Sequence, residues 1–196
     1  MEVCSIILSA GKGSRMFSDI PKPLHLISGK TMLERVIDAN KSANIKKCII
    51  VIPENCEAFK GICHDFETVV QKVPKGTGDA VKKASNLLKK FTGVILVCFG
   101  DTPFLTSETF KKVIKAFDNK TKLVITGFKK FEKNNYGKII FSNKNEPIEI
   151  IEQKDAEVRN IHSEFCNGGV MAIHSSIINQ LNKIQENLIS KEYYLT

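Results

Sequence analysis

The feature that most constrains this sequence is a run of apolar residues that passes directly into a glycine-rich loop. Val3 to Leu8 has the length and composition of a buried β-strand, and residues 9–16 follow it with two glycines. Small residues let backbone N–H groups approach a ligand closely and point toward phosphate oxygens, and Arg15 and Lys22 add positive charge. The sequence therefore predicts a strand that presents a loop suited to a triphosphate.

Two familiar phosphate-binding motifs do not match this loop. The stretch Gly29-Lys30-Thr31 lacks the glycine five residues before Gly29 that a Walker A motif requires. Gly11 and Gly13 could open a dinucleotide fingerprint, but Met16 stands where the third glycine belongs. The loop is therefore expected to bind phosphates in a different setting.

Strand and helix patterns alternate along most of the chain. Thr31 and Glu34 have the spacing of a capping box, which predicts a helix start, and Gly76-Thr77-Gly78 precedes a second helical pattern. The alternation predicts an α/β fold with a Rossmann-like, doubly wound, mixed and mostly parallel sheet. The predicted strands are 3–8, 48–52, 68–71, 93–99, 123–128 and 165–173, with a hairpin of 138–141 and 147–152, and the last two helices are 107–117 and 177–188.

Composition narrows the class of protein. With 196 residues, 42% hydrophobic and 26% charged, the chain is expected to form a single globular domain over 1–196, and intrinsic disorder is not expected. It has neither an apolar run long enough to span a membrane nor a signal peptide, so a cytoplasmic location is expected. The six cysteines show no zinc-binding spacing and are predicted to be reduced, mostly buried thiols.

The net charge of +8 does not indicate a nucleic-acid partner. Apart from Arg15, Arg35 and Arg159, the basic residues are lysines, and they are scattered along the chain. A solvated lysine-rich surface is the simpler interpretation, and the charge can also attract phosphorylated substrates.

Polar motifs recur where the predicted strands end. They are residues 9–16, residues 71–78 and Gly100-Asp101, and a fourth motif, Asn167-Gly168-Gly169, lies within the late predicted strand. Because ligands in such sheets bind at the carboxyl ends of the strands, these motifs are expected to share one site.

In these motifs the sequence resembles the sugar-1-phosphate nucleotidyltransferases, most closely the uridyltransferase domain of bacterial UDP-N-acetylglucosamine pyrophosphorylases. The resemblance spans the whole chain and rests on motifs that occur in the family's order. They are residues 8–16 with Pro21-Lys22, Gln71 with Gly76-Thr77-Gly78, Gly100-Asp101-Thr102-Pro103, Tyr136-Gly137-Lys138-Ile139, Glu152-Gln153-Lys154-Asp155-Ala156, Asn167-Gly168-Gly169 and Glu192-Tyr193-Tyr194-Leu195-Thr196.

The resemblance implies a reaction of UTP with N-acetylglucosamine 1-phosphate that forms UDP-N-acetylglucosamine and pyrophosphate with Mg²⁺, for cell-envelope precursors such as peptidoglycan. It assigns catalytic roles to Arg15, Lys22 and Asp101, with Asp101 as the Mg²⁺ ligand. The implied nucleotide-binding residues are Leu8, Ala10, Gly11, Gly13, Ser14, Arg15, Lys22, Gln71, Gly76 and Thr77, and the implied sugar-binding residues are Gly137, Glu152 and Asn167. Gly168 departs from the family, which often has threonine there.

Relative to that family, the domain is expected to be incomplete at its C-terminus, without the second Mg²⁺ ligand and without an acetyltransferase β-helix. Three functions therefore stay open: a uridyltransferase, a non-catalytic protein that binds UTP or a UDP-sugar, and a CTP- or GTP-dependent enzyme of the same fold. The motifs at residues 136–139, 152–156 and 192–196 argue against the third. Small-molecule substrates are expected, and homo-oligomerisation is left open.

Overall fold

The computed structural model of the chain describes residues 1–11, 13, 16–54, 57–132 and 134–196. Its strands are β1 (Val3–Leu8), β2 (Leu26–Ile27), β3 (Lys30–Thr31), β4 (Lys47–Pro53), β5 (Glu67–Gln71), β6 (Val94–Phe99), β7 (Leu123–Lys129), β8 (Lys138–Phe141), β9 (Pro147–Ile151) and β10 (Phe165–His174). Its α-helices are α1 (Met32–Ser42), α2 (Glu57–Cys63), α3 (Thr77–Ser85), α4 (Ser107–Lys115) and α5 (Gln153–Val158). Three 3-10 segments cover Lys22–Leu24, Asn86–Leu88 and Ser175–Lys183.

The main sheet confirms the predicted mixed α/β class. Its order is β5-β4-β1-β6-β10-β8-β9, with β7 paired to β10, while β2 and β3 form a separate small hairpin. Strands β5, β4, β1 and β6 pair in parallel, and β10 is antiparallel to β6, β7 and β8. Because β9 is antiparallel to β8, β9 and β10 run against the common direction of the other described strands in the main sheet.

Helices cover both faces of the sheet. Adjacent residues of a strand point to opposite faces, so neighbouring residues of β1 belong to different core clusters. Ile7 of β1 belongs to a core cluster with Leu33 of α1 and Phe110 of α4. Its neighbour Ile6 belongs to a second cluster with Val81 of α3. The predicted capping box of α1 is confirmed: Glu34 N donates to Thr31 Oγ1 (3.1 Å), and Thr31 N donates to Glu34 Oε2 (2.8 Å).

Strand β10 carries a bulge at the place where the sheet divides. Three residues, 168–170, oppose a single residue of β7, because Asn167 pairs with Gly127 and Met171 pairs with Ile125. Thr126 stabilises the bulge, since its hydroxyl donates to Val170 O (2.9 Å) and accepts from Val170 N (3.1 Å). Strand β7 pairs with one edge of β10. Along the other edge, β10 pairs with β6 at residues 171–174 and with β8 at residue 166. The sheet is therefore open between the end of β6 and the start of β8.

The predicted helix over 177–188 is wrong. The chain forms a 3-10 segment over Ser175–Lys183 and is not helical beyond it, and Leu188 is 84% exposed rather than packed. Asn187 explains the difference, because its Oδ1 accepts from the backbone N–H groups of Ile189 (2.9 Å) and Ser190 (2.8 Å) and so stabilises a turn. Helices α2 and α5 and the β2–β3 hairpin were not predicted, whereas the β8–β9 hairpin was.

Two further observations bear on the sequence predictions. Among the described residues, no helix has the length and apolar character needed to cross a lipid bilayer. Cys4, Cys48, Cys98 and Cys166 are buried free thiols, as predicted, Cys63 is buried as well, and Cys56 lies outside the described residues.

Candidate active site

A groove of about 740 Å³ lies at the carboxyl ends of β1, β5 and β6. Just beyond the end of β1, backbone hydrogen bonds connect the chain to β4, from Ser9 N to Val51 O (2.8 Å), and to the residue after β6, from Gly100 N to Leu8 O (2.9 Å). The groove collects nine of the predicted residues: Leu8, Ala10, Gly11, Gly13, Lys22, Gln71, Gly76, Thr77 and Asp101. Ser14 and Arg15, also predicted for this site, lie outside the described residues.

One end of the groove carries a close ion pair. Lys22 Nζ lies 2.7 Å from Asp101 Oδ2, and both side chains are about one-third exposed. The Thr102 hydroxyl donates to Phe99 O (2.6 Å) and so holds the turn that presents Asp101. Gly13 has φ +59°, and a Cβ there would lie 2.8 Å from the Cβ of Lys22, so the loop approaches Lys22 as only glycine allows. The cation and the carboxylate thus stand together beside the glycine loop.

The donor set at this end fits Mg²⁺ bound together with phosphate. The described residues contain no cluster of three or more His, Cys, Asp or Glu side chains that could hold a metal alone. Mg²⁺ usually takes one or two carboxylates and completes its shell with substrate phosphates and water. Asp101, which lines the groove at this end, matches that smaller requirement.

The other predicted wall of the groove is polar and neutral. Gln71, at the end of β5, is only 3% exposed, and its amide nitrogen donates to Gly76 O (3.2 Å) and to Asp79 Oδ2 (2.7 Å). Gly76 caps α3 with φ +106°, a conformation that side chains rarely adopt. An uncharged amide in a rigid wall is suited to the edge of a base.

A second cavity, of about 290 Å³, adjoins the groove where the sheet divides. It contains all three predicted sugar-binding residues, Gly137, Glu152 and Asn167, and it shares Leu8 and Thr77 with the groove. The predicted residues therefore occupy two neighbouring cavities with a common wall.

Glu152 is the acidic group of this second cavity. Burial raises its pKa, and the like charges of Asp155 and Glu192 raise it further, while a hydrogen bond from Thr196 opposes the shift. That hydrogen bond runs from Thr196 Oγ1 to Glu152 Oε1 over 2.9 Å. A Cβ at Gly137 would lie 3.4 Å from Glu152 Oε2, so this glycine leaves room beside the carboxylate.

The unusual Gly168 has a structural partner. A Cβ at this position would lie 2.6 Å from Thr126 Oγ1, the hydroxyl that stabilises the β10 bulge. Threonine at residue 168 would therefore displace Thr126. The amide oxygen of the adjacent Asn167 accepts a hydrogen bond from Gly169 N (3.1 Å).

Residues 192–196, here called the C-terminal segment, close the site along α3. Tyr193 N donates to Lys75 O (2.7 Å), Gly78 N donates to Tyr193 O (2.8 Å), and Leu195 N donates to Thr77 Oγ1 (3.0 Å). Glu192 lines the groove, whereas residues 194–196 line the second cavity.

Sequence reasoning did not single out several lining residues. Ser9 has a buried hydroxyl without a hydrogen-bond partner among the described residues, and Phe99 lines both cavities. Asp79 was missed as well, although its place directly after Gly76-Thr77-Gly78 could have identified it as a neighbour of Gln71.

Comparison with known proteins places the chain in a family. Residues 5–183 match the model of the MobA-like NTP transferase domain. The relative "Bifunctional protein GlmU" of Ruegeria sp. strain TM1040 is 36% identical over 100% of this chain and 44% of its own length. The protein of the same name from Streptococcus pyogenes is 38% identical over 98% of this chain and 42% of its length. The chain thus spans less than half the length of these curated relatives.

Solved structures show the same fold. A UDP-glucose pyrophosphorylase complexed with UDP-glucose superposes with a TM-score of 0.80 at 17% identity, covering 100% of this chain and 84% of that one. HddC from Yersinia pseudotuberculosis gives 0.71 at 22% identity, covering 92% and 80%. The resemblance that the motifs indicated is confirmed, and this chain belongs to the family of MobA-like NTP transferase domains.

Proposed function

We propose that the chain transfers a uridylyl group from UTP to N-acetylglucosamine 1-phosphate, forming UDP-N-acetylglucosamine and pyrophosphate. The observation that carries the proposal is the pair of adjoining cavities. The groove offers a charged end and a neutral amide wall, and the second cavity offers a carboxylate and an amide suited to sugar hydroxyl groups. The GlmU relatives support the choice of substrates.

The chemistry needs alignment more than proton transfer. An oxygen of the sugar phosphate is already ionised near neutral pH, so it attacks the α-phosphorus of UTP without a general base. A new P–O bond forms at the α-phosphorus, and the bond from the α-phosphorus to the oxygen that bridges it to the β-phosphorus breaks. Pyrophosphate leaves with the electron pair of that bond. Catalysis then consists of holding the two phosphates in line and neutralising their charge.

The residues of the groove divide that work. Lys22 neutralises charge near the α-phosphate, and the backbone N–H groups at Gly11 and Gly13 bind the leaving pyrophosphate, a role that the family resemblance also implies for Arg15. Mg²⁺, when held by Asp101 and phosphate oxygens, supplies further neutralisation of charge. Lys22 and Asp101 form an ion pair, and a substrate phosphate paired with Lys22 would leave the Asp101 carboxylate available to hold Mg²⁺.

The second cavity positions the acceptor. Glu152 and Asn167 hold hydroxyl groups of the sugar, and Gly137 leaves room for the ring beside the Glu152 carboxylate. The wall shared by Leu8 and Thr77 brings the sugar phosphate next to the nucleotide.

The test is an assay of pyrophosphate release with UTP, CTP, GTP and dTTP, each with N-acetylglucosamine 1-phosphate and Mg²⁺. We expect turnover with UTP in preference to CTP and GTP. Turnover that favours CTP or GTP contradicts the substrate proposal. If calorimetry shows UTP binding but no pyrophosphate is released, the protein is a non-catalytic nucleotide binder instead.

A further inference from the structure

Gln71 is held in one orientation by two acceptors. Its Nε2 lies 2.7 Å from Asp79 Oδ2 and 3.2 Å from Gly76 O, and neither of those oxygens can donate a proton to it when Asp79 is ionised. An amide has two N–H donors, so both are used within the protein. The opposite orientation would place Oε1 against a carboxylate and a carbonyl, which is electrostatically unfavourable.

The remaining polar atom of Gln71 is its amide oxygen. No described residue donates a hydrogen bond to Oε1, and Gln71 lines the groove. The protein therefore presents this wall of the groove with an acceptor whose orientation is fixed from behind.

Asp79 is well placed to fix it. Asp79 lies in the first turn of α3, where the helix dipole favours a negative charge, and its side chain is only 18% exposed. Lys83 Nζ lies 3.5 Å from Asp79 Oδ1, so the two carboxylate oxygens have separate partners, Lys83 and Gln71. A hydrogen bond to an ionised acceptor is about twice as strong as one between neutral groups.

We propose that Asp79 is a positioning residue that sets the base selectivity of the groove, by holding Gln71 with Oε1 facing N3 of the base. Uracil carries a proton on N3 and donates it to this oxygen. Cytosine has an unprotonated acceptor at N3, so its lone pair faces the lone pairs of Oε1. The inference rests on the proposed function, because it takes the groove to be a nucleotide site.

Asp79→Leu removes the acceptor while keeping a side chain branched at Cγ, and it leaves only Gly76 O to orient the amide. Gln71 can then turn its N–H groups toward cytosine N3, and we expect the preference for UTP over CTP to fall roughly tenfold, the ordinary effect of one hydrogen bond to a charged group. Asp79→Asn keeps an acceptor oxygen but is neutral and can also donate, so its preference should lie between wild type and Asp79→Leu. Lys83→Met is the matched control, since it removes the other partner of Asp79 and leaves the contact with Gln71.

The readout is the dissociation constant of UTP and of CTP, measured by calorimetry with Mg²⁺ and without a sugar phosphate, so it does not depend on turnover. An unchanged ratio in a folded Asp79→Leu variant overturns the inference and leaves the proposed function standing. If that variant does not fold, an unchanged ratio in Asp79→Asn overturns it. A ratio that falls equally in Lys83→Met shows a general disturbance of α3 and also overturns it. Wild-type protein that binds neither nucleotide, or prefers CTP, overturns both proposals.

Discussion

The contact between α3 and the C-terminal segment can be tested through a single glycine. Gly76 has φ +106°, and a Cβ there would lie 2.5 Å from Tyr193 O and 2.8 Å from Tyr193 N. Both atoms take part in backbone hydrogen bonds: Tyr193 O accepts from Gly78 N, and Tyr193 N donates to Lys75 O. Gly76→Ala therefore cannot be accommodated without moving the segment.

The expected loss of stability has two parts. Alanine in this backbone conformation costs about 1 kcal/mol. Breaking the two backbone hydrogen bonds costs roughly 1 kcal/mol each, so the free energy of unfolding should fall by about 3 kcal/mol. At about 2–4 °C per kcal/mol for a chain of this size, the melting temperature should fall by roughly 6–12 °C.

Gly29 supplies a matched control. It too has a positive φ, +79°, but a Cβ there would meet no atom within 4 Å. Gly29→Ala should therefore show the backbone cost alone, about 1 kcal/mol. The assay is urea unfolding of wild type and both variants, followed by circular dichroism. Equal losses in the two variants would refute the claim that residues 192–196 are held against α3.

Three further predictions concern single side chains. Asp101→Asn should lower UTP turnover by roughly 10²–10³-fold in steady-state kinetics while leaving urea unfolding unchanged, and undiminished turnover would show that the metal role is misassigned. Because the fold raises the pKa of Glu152, ionisation of this group opposes folding above the ordinary carboxyl range. The free energy of unfolding of Glu152→Gln should thus exceed that of wild type at pH 8, with a smaller difference at pH 4.5. Urea unfolding at the two pH values measures it, and a gain confined to low pH contradicts the prediction. Burial raises the pKa of the Cys98 thiol to about 12, so iodoacetamide at pH 8 should alkylate it only in unfolded protein. Peptide mass spectrometry detects the labelling, and labelling of native protein would argue against the burial of Cys98.

Features encoded in short stretches of sequence were the ones that could be predicted. The Thr31–Glu34 capping box joins residues three positions apart, and the structure contains both of its hydrogen bonds. The apolar run of β1 and its glycine loop are likewise contiguous, and so are the β6 strand and the Asp101 turn that follows it. Propensity and spacing act at this range, so the sequence was informative there.

Features that depend on distant pairing could not be predicted. Leu195 N bonds to the side chain of Thr77, which lies 118 residues away, and no local pattern indicates that contact. The same holds for Gly168, whose departure from the family was visible in the sequence but whose partner Thr126 was not. The helix expected through Leu188 failed for a related reason, since apolar spacing does not show that Asn187 also bonds to Asp155 (2.6 Å) and is fixed in a turn.

The groove depends mainly on local stretches of sequence, whereas the second cavity depends on pairing between distant strands. Apart from Glu192, the groove is formed by the ends of parallel strands and the segments that follow them, so these walls can each be recognised from one stretch of chain. The second cavity exists because β10 pairs with β6 over one part of its length and with β8 near its start, leaving the sheet open between them. Its shape therefore depends on the bulge that Thr126 stabilises, and a change there is expected to alter the second cavity while leaving the ends of β1, β5 and β6 in place. It follows that the second cavity, which is the proposed acceptor site, can vary in the β7–β10 region without loss of the groove.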